Sequence, residues 1–114
     1  MLLLFDFEVR VFSRDSRAGG WADEYEVYNY EVGIRPLIEK AVAVQTFRED
    51  RDDETEFVTI SYWESAEAMS AFTGGDPTEI HHLPRDSEFL VELPERVQIL
   101  RLRHSHGWAL AVET

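Results

Sequence analysis

Adjacent histidines, His81 and His82, are the residues of this chain best suited to moving a proton near neutral pH. A neutral imidazole accepts a proton as a general base and is also a competent metal ligand. The plain alternative is a pair that caps or packs a surface turn. His104 and His106 would put both rings on one face of a strand. With no carboxylate at fixed spacing they do not make a metal site. Asp6, Glu8 and Arg10 share one face of an alternating segment. Charges on a central strand need partners, which Arg101 or Arg103 of a neighbouring strand would supply, or water in a polar pocket. Such a pocket would orient a substrate carbonyl or phenol, with a carboxyl for proton transfer and Arg10 or a tyrosine donating to a developing oxyanion. Trp21, Tyr25, Tyr28, Trp63 and Phe72 supply flat apolar surface, either as core or as walls for a planar ligand.

The elements that must position these groups follow from periodicity. Phe5, Phe7, Val9 and Val11 alternate with Asp6, Glu8 and Arg10, which predicts a strand over Phe5–Val11. After a polar stretch broken by Gly19 and Gly20, the spacing of Trp21, Tyr25, Tyr28 and Val32 predicts a helix. Asp23, Glu24 and Glu26 suit its N-terminal end, and Gly33 and Pro36 are expected to stop it. A second strand is predicted over Ala41–Phe47, an exposed charged hairpin loop over Arg48–Glu54, and a third strand over Phe57–Trp63. Bulky residues at successive positions of the third strand predict that it is central and covered on both sides.

Ser65 is placed to cap a second helix with Ala68, Met69 and Phe72 on its buried side, ended by Gly74 and Gly75. Asp76, Pro77 and Glu79 then predict a short helix carrying Ile80, His81, His82 and Leu83 up to Pro84. Phe89, Leu90 and Leu93 are expected to clamp under a loop, and Val97–Leu102 is the fourth predicted strand. The order is βαββαβ, the ferredoxin-like plan: an α+β domain with a four-stranded antiparallel sheet and both helices on one face. Residues 1–103 make that domain and 104–114 a tail. The sheet's other face would carry Val42, Val44, Val58, Ile60 and Tyr62 or their alternates, so a second copy of the chain is expected to cover it.

A chain of 114 residues with 44% apolar and 30% charged residues suits one folded domain rather than a disordered chain. Its net charge of −12 would repel nucleic acid and anionic lipid. The absence of cysteine excludes disulfides and thiolate chemistry. The apolar opening Met1–Phe5 is too short for a signal segment or a membrane span, so the expected location is the cytoplasm and no membrane partner is implied. The glycine pairs lack the pattern of a flavin or nicotinamide fingerprint.

The run from Phe57 to Phe72, with Trp63, Ser65, Ala68 and Phe72 at its marked positions, resembles the strand-to-helix signature of antibiotic biosynthesis monooxygenase-type domains. Ala22–Tyr28 and Leu90–Val97 are similar too, and the resemblance spans residues 5–103. Ile38–Ala41 departs from it, standing where relatives often have Pro-Gly. The resemblance implies a dimeric α+β barrel, with two sheets face to face and a pocket inside each subunit between sheet and helices. It implies a cofactor-independent monooxygenase acting on a small aromatic or polyketide-like molecule. His82 or His81 would be the base, Tyr25, Tyr28 or Arg10 the hydrogen-bond donor, and Trp21, Tyr25, Tyr28, Trp63 and Phe72 the substrate walls. Domains of this kind also include proteins with no assigned reaction, so a non-enzymatic dimeric binding or structural domain is the alternative. In the heme-degrading members a histidine placed like His82 is the axial ligand. This chain has no Asn on its first strand and has Phe72 where those members carry Trp.

Overall fold

The alternation around Phe5–Val11 extends further than its apolar residues alone require: in the computed structural model β1 spans Leu3–Phe12. Residues 2–12, 21–74, 83–92 and 97–106 are described. After β1 come α1 (Trp21–Tyr28), a π-helical segment (Asn29–Ile34), α2 (Arg35–Lys40), β2 (Ala43–Asp50), β3 (Glu54–Trp63), α3 (Ala66–Thr73), α4 (Asp86–Phe89) and β4 (Gln98–Arg101). The charged run expected as a loop is mostly strand. Arg48–Asp50 belongs to β2 and Glu54 to β3, leaving only residues 51–53 to turn. Charged side chains at a strand end reach water from either face, so polarity there does not forbid pairing.

The strands form one antiparallel four-stranded sheet in the order β2-β3-β1-β4. Because β1 and β2 both run antiparallel to β3, they are parallel to each other with β3 between them. The chain therefore crosses over through α1 and α2 before β3 is inserted. β1 and β3, the longest strands, hold the centre, with Phe5 opposite Ser61, Phe7 opposite Thr59 and Val9 opposite Phe57. This face carries the described helices. Val9, Val11, Trp21, Ala22, Tyr25, Phe57, Phe89 and Leu90 pack there as the main buried cluster. Phe89 and Leu90 thus belong to the core itself, more than a clamp under a loop. Leu90 bridges to Val11, and Val91 N–H donates to Arg10 O at 2.8 Å. Leu93 lies outside the described residues.

The first helical stretch does not stop at Gly33 and Pro36. Arg35 N–H reaches back five residues to Tyr30 O, so the chain widens into a π turn and then resumes as α2. Pro36 falls in the first turn of that new α segment, where its missing N–H leaves no helical bond broken. The widening also rotates Val32 off the expected buried stripe, and it is 41% exposed. The second helix begins and ends as its sequence predicts, but of its expected buried side only Met69 is buried; Ala68 is partly covered and Phe72 is exposed. Ser65 Oγ accepts from Ala68 N–H at 3.1 Å, and Gly74 ends the helix at φ 84°, a left-handed conformation that favours glycine.

β3 is central, and the described helices cover one side of it only. Leu100, Leu4, Tyr62, Ile60, Val58 and Phe47 run across the opposite face in neighbouring register, whereas Val44, paired with Ser61, faces the helices. At one end of that face Arg10 bonds Glu54 at 3.2 Å and also Glu92. Arg51 bonds Glu49 at 2.6 Å and Glu56 at 3.0 Å. The expected partner Arg101 is opposite Leu3, hence on the helix side, and it cannot neutralise Asp6 or Glu8. The Glu8 carboxyl is accordingly pushed up, first by Asp6 beside it, then by partial burial and by Glu56. A raised folded-state pKa means that this site favours folding below the ordinary carboxylate range and disfavours it once both carboxyls ionise. Glu8→Gln is therefore expected to raise the midpoint of urea denaturation at pH 7 by a small amount, under about 1 kcal/mol at so exposed a position. The gain should shrink as the pH is lowered through the carboxylate range; an equal gain at every pH would contradict this origin.

Candidate functional site

Small side chains in the middle of β3 leave room that its neighbours do not fill. Thr59 and Ser61 sit between larger residues on the helix side, and the π turn holds the helical layer above them. The result is a cavity of about 410 Å³ between sheet and helices. Its floor is Phe5 and Phe7 of β1 with Thr59, Ser61 and Trp63 of β3. Tyr25, Asn29, Ile34 and Leu37 wall one side, and Phe72, Leu83, Asp86 and Val97 contribute elsewhere. A second cavity of about 370 Å³ lies towards the sheet edge, lined by Phe47, Arg48 and Phe57 among others. Asn29 and Ile34 line both.

The candidate aromatic residues divide into two sets. Tyr25, Trp63 and Phe72 line the larger cavity. Trp63 is fixed there, its Nε1–H donating to Ser61 Oγ at 2.8 Å and its ring meeting Phe72 at 5.4 Å between centroids. Trp21 and Tyr28 do not line it; they pack on Phe89 at 4.4 and 5.7 Å. The Tyr28 hydroxyl accepts from Arg85 N–H at 2.8 Å, which ties α1 to the chain just before α4. Arg10 lies on the other face of the sheet, bound to Glu54 and Glu92, and so does not reach the cavity. His81 and His82, with the short helix expected to carry them, lie outside the described residues. His104 and His106 are exposed and not in a strand. No three described His, Asp or Glu side chains come together as a group that could hold a metal ion.

The chemistry available at the cavity wall is mainly that of neutral donors and acceptors. Burial pushes the Tyr25 phenol well above its ordinary pKa, with Asp86 and Tyr28 adding to the effect. It stays protonated through neutral pH and can donate, but it cannot act as a base. Asp86 is buried; its Oδ2 accepts from Leu83 N–H at 2.9 Å and so helps to form the turn that brings Leu83 to the cavity. Asn29, Asp86, Thr59 and Ser61 were not singled out from the sequence. Asn29 was within reach of it: Trp21, Tyr25, Asn29 and Gly33 form a ladder of steps of four, with a polar residue in the middle of an apolar stripe.

Among the described residues no helix is long and apolar enough to cross a membrane. The chain has the α+β architecture with an antiparallel four-stranded sheet that its sequence predicts. No family model matches the chain, and no curated protein matches it.

Proposed function

We propose that this chain binds a small planar aromatic molecule in the cavity between sheet and helices and acts on it as a cofactor-independent, monooxygenase-like domain. The observation that carries the reading is the cavity itself. It is walled by Phe5, Phe7, Tyr25, Trp63 and Phe72, with isolated polar groups among the rings. The likeness to antibiotic biosynthesis monooxygenase-type domains supplies the chemistry. A base removes a proton from a phenol or hydroquinone, and the resulting carbanion reacts with dioxygen. The ring C–H carbon that oxygen attacks becomes a quinone carbonyl, and the second oxygen atom leaves as water with the two hydrogens given up by that carbon and the hydroxyl. Tyr25 is the donor for the developing oxyanion. His82, which lies outside the described residues, is the first candidate for the base on that likeness. The finer architecture belongs to the same proposal: a ferredoxin-like subunit paired with a second copy through the sheet face bearing Leu4, Val58, Ile60 and Tyr62.

Oxygen uptake with a panel of phenols and hydroquinones tests the activity, with tryptophan fluorescence followed in parallel. Turnover with at least one compound and its loss in His82→Ala are expected; unchanged turnover in that variant removes His82 as the base. The second reading, a binder without chemistry, is favoured by one feature. Among the described cavity residues Tyr25 is held protonated and Asp86 already accepts a backbone hydrogen bond, so neither is a ready base. Ligand-induced thermal stabilisation without oxygen uptake would select it. The heme alternative rests on His82 as axial ligand, and His82 lies outside the described residues.

A further inference from the structure

Asn29 is a polar residue of the cavity wall whose side chain the described fold leaves without a hydrogen bond. It is only 9% exposed, yet its amide makes no hydrogen bond to any described residue. Its polar atoms are not sealed inside the fold but open on the cavity, where a bound group can reach them. The local backbone is arranged to keep it there. Asn29 opens the π segment, so the widened turn sets where its side chain emerges. Four residues on, Gly33 supplies the space that the amide occupies: a Cβ at that position would stand 3.0 Å from Asn29 Oδ1 and 3.2 Å from Leu83 Cδ1.

We infer that the Asn29 amide is the hydrogen-bonding anchor of the cavity, fixing a ring-borne hydroxyl or keto oxygen of an aromatic ligand. The inference rests on the reading of the cavity as an aromatic-ligand site and goes beyond it by naming the group that sets ligand orientation and preference. The rings provide affinity for any flat apolar molecule. The amide distinguishes an oxygenated ring from its hydrocarbon counterpart, because only the former restores the missing hydrogen bond.

The test compares 2-naphthol with 2-methylnaphthalene, which are alike in size and differ in the oxygen, by calorimetric titration of the full chain. The wild-type protein is expected to bind 2-naphthol about tenfold more tightly, the worth of one neutral hydrogen bond. Asn29→Leu should abolish that preference, leave 2-methylnaphthalene binding unchanged, and keep or raise the melting temperature. A melting temperature lowered by several degrees would make the amide a structural group and overturn the inference. Gly33→Ala keeps the amide but crowds it, and it should reduce the preference for 2-naphthol by a smaller factor. An unchanged preference there would also overturn it. Equal wild-type affinity for the two compounds would sink the anchor and leave the aromatic cavity standing. Binding of neither would remove the cavity reading and the anchor together.

Discussion

Phe89→Ala is expected to destabilise the fold by about 3–5 kcal/mol, read as a lower midpoint of chemical denaturation. The side chain is 0% exposed and its ring meets those of Trp21, Tyr25 and Tyr28 at centroid distances of 4.4, 5.3 and 5.7 Å. Its backbone belongs to a helix of a single turn, which has no independent stability, so the ring is what holds α4 against α1. Truncation would leave a void facing three aromatic neighbours that cannot all collapse into it. Phe72→Ala is the control: at 37% exposure it should cost less than half as much. Equal losses at the two positions would show that the core is not centred on Phe89.

The second large effect is at Trp63, where stability and binding should fall together. Trp63→Ala removes the ring that meets Phe72 and the indole N–H that satisfies Ser61 Oγ, and it joins new volume to an existing cavity. A loss of about 3–5 kcal/mol in stability is expected, with a fall of about tenfold or more in affinity for 2-naphthol. Trp63→Phe keeps an aromatic wall while giving up the Ser61 bond, so it should retain most of the affinity at an intermediate stability. If Trp63→Ala bound aromatic ligands as the wild type does, the ligand would not lie against this wall.

The sequence was most readable where a local cause determines a local result. The β-branched and aromatic run Phe57–Trp63 is strand, Ser65 caps α3, and Gly74 closes it in the left-handed conformation, since each depends on neighbours a few residues away. Pro36 and Gly33 misled because a helix can take up an extra residue: a proline that would break an α ladder fits the first turn after a π segment. The partners of Asp6 and Glu8 depend on register. A shift of β4 by one residue would have put Arg101 on their face of the sheet, but pairing with Leu3 turns it to the other side. The candidate site was half legible. Aromatic residues at helical spacing are equally good core and equally good walls, and what draws Trp21, Tyr25 and Tyr28 onto Phe89, leaving only Tyr25 of the three to line the cavity as well, is the position of α4, about sixty residues further on.

The widened turn over Asn29–Ile34 has a consequence for how this architecture could drift over time. A π segment amounts to one surplus residue within an otherwise regular coil. Deleting one residue there would restore an ordinary helix and keep its two flanks in register, because the widened turn already absorbs the extra residue. A deletion in the regular helix on either side, with the widened turn kept, would instead rotate the segment beyond it by about 100° and turn residues such as Tyr25 and Leu37 away from the same space. The shape of the cavity thus depends on arithmetic as much as on chemistry, and where a one-letter gap falls in a related chain would matter more than many substitutions.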